Sequence, residues 1–239
     1  MKKGDRPVKS EKKGRVCGIV LAGGMGSRMG LSVSKQQLTV MGRSILYHAL
    51  RAFEDCEDID DVVVVYRKGE EEFAIGECEK FKKVYTSVVG GSCRAESAKR
   101  GFAAIPSDTE LVAIHDAARA LIKPEEISSV VSVAREFGAA SAVTPVTDTV
   151  KVVDNEGIIT ATLDRSTLRA AATPQVFSCE IYKKALGMTE LTESITDDNM
   201  LVELSGVAVR AVEVGRSNIK ITTREDIAYA EYLLKGDFR

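Results

Sequence analysis

The sequence predicts an α/β fold, a three-layer α/β/α sandwich built around a mostly parallel sheet. Short β-branched apolar runs alternate with segments of helical periodicity along most of the chain. The runs at 62–66 (VVVVY) and 111–116 (LVAIHD) are apolar almost throughout rather than alternating, which is typical of strands covered by helices on both faces. The helical segments between them supply the right-handed crossovers that a parallel sheet needs.

Six segments are predicted as strands of this sheet and five as its helices. The strands are expected at 16–21, 61–66, 84–89, 110–115, 141–146 and 207–214. The helices are expected at 44–55, 70–82, 94–105, 124–137 and 179–186. The chain should close with a short strand at 218–222 and a helix at 223–234, where Thr223 and Asp226 can form a capping-box-like pair.

One segment breaks the alternation. Residues 147–163 indicate two short strands around the turn residues 154–157 (DNEG), which supply the positive φ angles of a hairpin. An isolated hairpin is only marginally stable in water. We therefore expect it to pack on its own domain or on a second subunit.

Composition and charge narrow the class of protein. The 239 residues are 44% apolar and 28% charged. A chain of this length and composition can bury a core that needs no disulfide or metal. A formal net charge of −2 argues against a dedicated nucleic-acid-binding protein, and no apolar run approaches the roughly 18 residues that span a bilayer. Residues 1–15, seven of them basic, are expected to form a disordered tail, and residues 16–239 a single domain.

The cysteines and histidines offer no metal-binding motif. No CxxC pair occurs, and two histidines alone, His48 and His115, cannot complete a zinc-finger or HExxH spacing. The five cysteines are expected to be reduced thiols in a cytoplasmic protein.

A glycine-rich loop after the first strand is the strongest local signal. Residues 21–30 (LAGGMGSRMG) can turn backbone N–H groups toward a phosphate. They match neither common nucleotide motif: Met29 stands where a dinucleotide fingerprint needs Gly or Ala, and the chain has no Gly-Lys step for a Walker A loop. Arg28 within the loop and Lys35 seven residues later indicate phosphate chemistry of another kind.

This loop, followed by Ser34-Lys35-Gln36, resembles the signature of nucleotidyltransferases with a Rossmann-like, GT-A-type fold. Further motifs narrow the resemblance to the 2-C-methyl-D-erythritol 4-phosphate cytidylyltransferase family, over residues 16 to 234. These motifs are Gly90-Gly91 with Arg94 and Ser97, HDAAR at 115–119, Asp148-Thr149, LDR at 163–165, TPQ at 173–175, Thr196-Asp197 and NIK at 218–220.

The resemblance implies transfer of CMP from CTP to a sugar-alcohol phosphate, with release of pyrophosphate. It implies Mg²⁺ as the cofactor, held mainly by the triphosphate and by no protein ligand. The implied catalytic residues are Arg28, Lys35, Lys220 and Asp116. The implied CTP-binding residues are Ala22, Gly23, Gly24, Met25, Gly26, Gly90, Gly91, Ser97 and Ala117. The implied substrate-binding residues are Thr149, Arg165, Arg119, Thr173 and Thr196.

The chemistry agrees with those residue types. In an in-line displacement at the α-phosphorus, negative charge grows on the attacking and leaving oxygens, so catalysis consists mostly of positioning and preorganised positive charge. The backbone amides of Gly90 and Gly91 and the Ser97 hydroxyl are expected to read the cytosine. His115 is expected to be a core residue whose hydrogen bonds are satisfied internally.

The resemblance also implies a homodimer with shared active sites. The hairpin, taken as a β-arm over residues 147–165, would reach across a two-fold axis, so that Thr149 and Arg165 bind the substrate phosphate of the opposing site. The chain departs from the family at three positions: Ser92 stands where many members carry Asp, and Ser34 and Ala120 where they carry Pro.

Three alternatives remain open. A ribitol-5-phosphate cytidylyltransferase would suit the glycine loop and the NIKITT segment at 218–223 equally well, although the arginine at 165 favours the erythritol family. A non-catalytic nucleotide-binding module is disfavoured because Arg28, Lys35, Asp116 and Lys220 are all retained. A dinucleotide-dependent oxidoreductase is disfavoured by the missing fingerprint.

Overall fold

The fold is that of a computed structural model, which describes residues 14–24, 34–192 and 194–236. Its strands are β1 (Arg15–Ala22), β2 (Thr39–Val40), β3 (Arg43–Ser44), β4 (Asp61–Tyr66), β5 (Val84–Val89), β6 (Thr109–Asp116), β7 (Ala139–Pro145), β8 (Lys151–Val153), β9 (Ile159–Thr162), β10 (Arg169–Ser178) and β11 (Arg210–Glu213). Its helices are α1 (Ile45–Asp55), α2 (Glu71–Cys78), α3 (Arg94–Phe102), α4 (Pro124–Phe137), α5 (Cys179–Met188), α6 (Asp198–Leu204) and α7 (Arg224–Lys235).

A seven-stranded sheet in the order β11-β7-β10-β6-β1-β4-β5 forms the middle layer. Neighbouring strands are parallel except at β10, which runs antiparallel to both β6 and β7. Side chains of β1 alternate between two cores: Val16 and Val20 pack with helices α1 and α4, and Cys17 and Ile19 with α3 and α5. The predicted three-layer α/β/α sandwich with a mostly parallel sheet is therefore confirmed.

The other predicted elements agree with the structure to within a few residues, but one predicted strand is absent and four observed elements were not predicted. The strand expected at 218–222 is wrong: this segment belongs to no sheet, and Ile221 donates one backbone hydrogen bond to Ala118, at 2.8 Å. The four elements that were not predicted are the short strands β2 and β3, strand β10 and helix α6. Pro174 and the alanines at 170–172 conceal β10, because proline is rare within a central strand and alanine favours strands only weakly.

The predicted hairpin is present as β8 and β9. These strands follow β7 and precede β10 in the chain, and they form a two-stranded sheet of their own. Asp154 stabilises its turn by accepting hydrogen bonds from the backbone N–H groups of Glu156 and Ile158, and Gly157 has a φ of +83°. The side chains of the hairpin strands are exposed, including the apolar Val153 and Ile159. Nothing in the described part of this chain covers them.

The amino-terminal tail predicted at 1–15 lies mostly outside the described residues, and β1 already begins at Arg15. None of the described helices is both long and apolar enough to cross a bilayer. The five cysteines form no disulfide.

Candidate active site

A cavity of about 410 Å³ opens at the carboxyl ends of β1 and β6, the edge at which ligands bind in open α/β sheets. The crossover connections leave the sheet here, so several loops converge on one place. The residues lining it are Leu21, Gly23, Gly24, Lys35, Gln36, Gly91, Ser92, Cys93, Arg94, Ser97, Asp116, Ala118, Lys220 and Thr222.

One wall is formed by the segments on either side of the glycine-rich loop. Lys35 lies in a short 3-10 turn over residues 35–37, and its side chain is largely buried. In the orientation that satisfies both of its amide atoms, Gln36 donates to the carbonyl of Gly24 at 3.1 Å and accepts from the N–H of Gly24 at 3.3 Å. Gln36 thereby ties the end of β1 to the turn that carries Lys35.

A second wall is the tight turn between β5 and α3. The N–H of Gly90 donates to the Tyr66 carbonyl at 2.7 Å, and that of Gly91 to the Ser97 hydroxyl at 3.0 Å. Ser92 donates its N–H to Glu96 at 2.5 Å. A side chain at Gly91 would collide with Glu96, since an added Cβ would lie 2.5 Å from its carboxyl carbon.

These contacts engage the groups that are expected to read the base. Both N–H groups are already engaged in holding the turn against β4 and α3. The Ser97 hydroxyl donates to the Cys93 carbonyl at 2.9 Å, so it too serves the turn. Recognition of the base by Gly90, Gly91 and Ser97 stays a prediction.

The floor of the cavity is a charged group centred on Asp116, the last residue of β6. Its Oδ1 accepts from Arg94 Nε at 3.1 Å, and its Oδ2 accepts from Lys220 Nζ at 2.8 Å. Burial by itself would raise the pKa of Asp116, but the charges of Arg94 and Lys220 outweigh burial and hold this pKa well below its usual range. Asp116 is thus an ionised carboxylate with both oxygens paired to cations.

Beneath this carboxylate, Thr173 and His115 support the end of β6. The Thr173 hydroxyl accepts from the Asp116 backbone N–H at 3.1 Å and lies 2.9 Å from His115 Nδ1. His115 Nε2 lies 3.2 Å from the Arg119 carbonyl. These bonds are all satisfied if His115 is neutral with its proton on Nε2, and burial lowers its pKa to about 4, which agrees. The prediction that His115 is a satisfied core residue is confirmed.

Arg119 lies next to the cavity rather than in its lining. It donates to the carbonyls of Asn218 at 2.9 Å and Ala171 at 3.0 Å, joining the 218–222 segment to β10. Asn218 in turn donates to the Thr173 carbonyl at 2.9 Å. Together these bonds fix the segment that carries Lys220 to the cavity.

The structure gathers seven of the predicted site residues around one cavity. They are Gly23, Gly24, Lys35, Gly91, Ser97, Asp116 and Lys220. Ala22, Gly90 and Ala117 do not line the cavity, although each is next in sequence to a residue that does. Ala118 lines it, and its neighbour Ala117 is buried. Met25, Gly26 and Arg28 lie outside the described residues.

The remaining predicted substrate-binding residues lie away from this chain's own cavity. Thr149 and Arg165 flank the exposed hairpin, and Arg165 donates to the Thr147 carbonyl at 2.6 Å. Thr196 is exposed, and its hydroxyl contacts Met200 Sδ at 3.8 Å. Thr173 is buried below Asp116, where its hydroxyl is engaged with the protein.

Sequence reasoning missed two charged residues of the site. In the sequence Arg94 is only part of a motif, and Asp198 could be no more than a charge at the amino terminus of a helix. Arg94 donates to Asp198 at 2.6 Å as well as to Asp116. The surplus of carboxylates in the motifs at 115–119 and 196–198 was the available signal, because buried acids need cationic partners.

The donor set agrees with a divalent cation carried by phosphates. Among the described residues, no group of three or more His, Cys, Asp or Glu side chains could hold a metal ion. Asp116 is the one carboxylate in the cavity lining, and each of its oxygens already faces a cation.

Comparison with known proteins gives a consistent result. The family model for 2-C-methyl-D-erythritol 4-phosphate cytidylyltransferase matches residues 16–236. A protein of that name from Desulforamulus reducens is 43% identical over 93% of this chain and 97% of its own length, and one from Clostridium perfringens is 39% identical over 93% and 100%. The crystal structure of 4-diphosphocytidyl-2C-methyl-D-erythritol synthase from Anaerococcus prevotii matches with a TM-score of 0.81 and 28% identity, covering 93% of this chain and 97% of that one.

Proposed function

The chain belongs to the 2-C-methyl-D-erythritol 4-phosphate cytidylyltransferase family, and from that premise we propose how its own residues carry out the reaction. The enzyme transfers CMP from CTP to 2-C-methyl-D-erythritol 4-phosphate in isoprenoid precursor synthesis, releasing pyrophosphate and forming 4-diphosphocytidyl-2-C-methyl-D-erythritol. The observation that carries the mechanism is the Asp116 carboxylate between Arg94 and Lys220, in a cavity that Lys35 also lines.

CTP occupies this cavity with its triphosphate between the Gly23–Gly24 wall and Lys220. A phosphate oxygen of the acceptor forms a bond to the α-phosphorus while the bond from that phosphorus to the bridging β-oxygen breaks, and pyrophosphate leaves with the electron pair. Lys35 and Lys220 oppose the negative charge that grows on the equatorial, entering and leaving oxygens, and Arg28 adds a third cation from the glycine-rich loop. Removing one such group typically costs about 10²–10³ in kcat.

Asp116 orients rather than reacts. Its pKa is depressed, so it is a poor proton acceptor at neutral pH, and the attacking phosphate oxygen needs no base because it is already anionic. The carboxylate holds the Lys220 ammonium at the cavity wall. When Mg²⁺ is bound, it neutralises the triphosphate and polarises the α-phosphorus, with the phosphates as its main ligands.

The second part of the proposal is a homodimer with shared active sites. The hairpin exposes the apolar side chains of Val152, Val153, Ile158 and Ile159 on a two-stranded sheet that could not remain ordered alone in water. A second copy of the chain covers these side chains, and the arm brings Thr149 and Arg165 to the acceptor phosphate of the neighbouring site. Arg165, a planar donor, suits bidentate phosphate binding. The five free thiols support a cytoplasmic location.

The test is pyrophosphate release from CTP and Mg²⁺, with 2-C-methyl-D-erythritol 4-phosphate and D-ribitol 5-phosphate assayed side by side. We expect rapid release with the first acceptor and at most a trace with the second. Release with ribitol phosphate alone would move the enzyme to the alternative acceptor, and binding of CTP without turnover of either would leave a nucleotide-binding module.

A further inference from the structure

Arg94 lies between two carboxylates that face it from opposite sides. Its Nε donates to Asp116 at 3.1 Å and its Nη1 donates to Asp198 at 2.6 Å. The Asp198 side chain is 1% exposed and that of Asp116 13%, whereas the ammonium-bearing side chain of Lys220 is 42% exposed. The charges therefore alternate from the interior to the cavity, and the outermost cation, Lys220, is the most exposed of the four.

The inner end of this chain is held firmly. Asp198 Oδ1 accepts from the Tyr182 hydroxyl at 2.6 Å, and its backbone N–H donates to Gln175 Oε1 at 2.9 Å. Tyr182 is fully buried and packs between the rings of Phe177 and Phe102, at centroid distances of 5.6 Å and 5.1 Å. Asp198 thus uses one oxygen for Tyr182 and the other for Arg94, which leaves the guanidinium one orientation.

At the cavity end of this chain of charges lies Asp116, and its contact with Arg94 determines which of its two oxygens is available to Lys220. The other charged or titratable groups facing this carboxylate are Lys220 from the 218–222 segment, and His115 and Arg119 from β6 and the loop after it. His115 and Arg119 direct their hydrogen bonds elsewhere, to Thr173, Asn218 and Ala171. Arg94 is therefore the one group among them that binds Oδ1, and its presence leaves only Oδ2 to Lys220.

We propose that Arg94, fixed from behind by Asp198 and Tyr182, is a positioning residue that keeps Asp116 ionised and in one orientation and so holds the Lys220 ammonium at the cavity wall for the phosphates of CTP. Without Arg94, the carboxylate is free to rotate toward Lys220 with both oxygens or to take up a proton, and either change displaces the catalytic cation. This inference rests on the proposed function.

The test is the pH dependence of kcat/KM for CTP in Arg94→Gln. Loss of an opposite charge within hydrogen-bonding distance typically moves a carboxyl pKa by about 1–3 units. Arg94→Gln should therefore lower kcat/KM at pH 8 by about 10- to 100-fold and make activity fall off at a higher pH on the acid side than it does in the wild type. Arg94→Lys, which restores the charge without the two-sided geometry, should return the acid limb toward the wild-type position while recovering only part of the rate.

A second variant separates this role from folding. Arg94→Gln leaves the Asp198 carboxylate buried without its cation, which can destabilise the protein. The double variant Arg94→Gln/Asp198→Asn removes both charges, so it should regain thermal stability and keep the displaced acid limb. Lys99→Gln, which removes a positive charge from an exposed position of the same helix, is the matched control and should leave the profile unchanged.

Two results would overturn the inference. One is an acid limb of Arg94→Gln that coincides with the wild type while the rate falls equally at every pH, since that is the behaviour of a purely structural residue. The other is full recovery of the wild-type profile in the double variant. Failure of the wild-type enzyme to turn over CTP would instead reject the proposed function, and the two failures are thereby distinguished.

Discussion

The hydroxyl of Thr173 should matter for stability more than for substrate binding, and Thr173→Val tests this. Valine has nearly the same shape, so the substitution removes the hydroxyl without opening a cavity. Two buried groups then lose their partner: the backbone N–H of Asp116, at 3.1 Å, and Nδ1 of His115, at 2.9 Å. A buried polar group left unsatisfied costs about 1–3 kcal/mol, and the added methyl group returns part of that loss. We expect a net destabilisation of about 2–4 kcal/mol.

Thermal and urea unfolding monitored by circular dichroism would measure it. For a chain of this size, about 1 kcal/mol shifts Tm by roughly 2–4 °C, so Thr173→Val should melt about 4–16 °C below the wild type. Thr173→Ser keeps the hydroxyl and loses only a methyl group, so it is the matched control and should lose about 1 kcal/mol. An unchanged Tm for Thr173→Val, together with a raised KM for the acceptor, would refute this reasoning and restore Thr173 as a substrate contact.

Three further predictions address the cations and the buried histidine. Lys35→Ala should lower kcat by about 10²–10³ in a pyrophosphate-release assay with Tm unchanged, and a near-normal kcat would remove Lys35 from the mechanism. Arg165→Ala should raise KM for the acceptor far more than KM for CTP; mixed with Lys35→Ala subunits that exchange, it should recover activity from dimers holding one intact site, and no recovery would contradict shared sites. The pKa of His115 is about 4 when folded against 6.5 in the unfolded chain, so the unfolded state binds more protons between these values. The contribution of neutral His115 to stability is fully present above pH 6.5. The free energy of unfolding should be about 2 kcal/mol lower at pH 5 than at pH 7, a loss that His115→Gln should reduce in urea titrations.

Much of the fold could be predicted because its central strands carry strong local signals. The valine run of β4 and the apolar run of β6 are buried on both faces, as their composition required. The segment at 218–222 has similar β-branched residues, yet it pairs with no strand. Ile219 and Ile221 instead pack among Val40, Leu121 and α7, and local propensity does not report such tertiary contacts.

The residues of the site likewise differ in how far the sequence reveals them. Lys35, Asp116 and Lys220 were found because each sits in a short motif whose residues are neighbours in sequence. Arg94 and Asp198 are 104 residues apart, and only the folded chain brings them to 2.6 Å. The engagement of the Gly90 and Gly91 amides was equally hidden, because a glycine-rich turn looks the same in sequence whether its N–H groups face a ligand or the protein.

The reversed direction of β10 explains how the arm and the site are connected. Because β10 is antiparallel to β6, with Gln175 opposite Ile114, its residue Thr173 falls beside the last residue of β6, which is Asp116. Its amino-terminal end extends along β7 alone and leads directly from the hairpin. Gln175, on the same strand, accepts hydrogen bonds from the amides that begin α6 and so fixes Asp198. One strand therefore supports the Asp116 carboxylate, orients the partner of Arg94 and carries the arm.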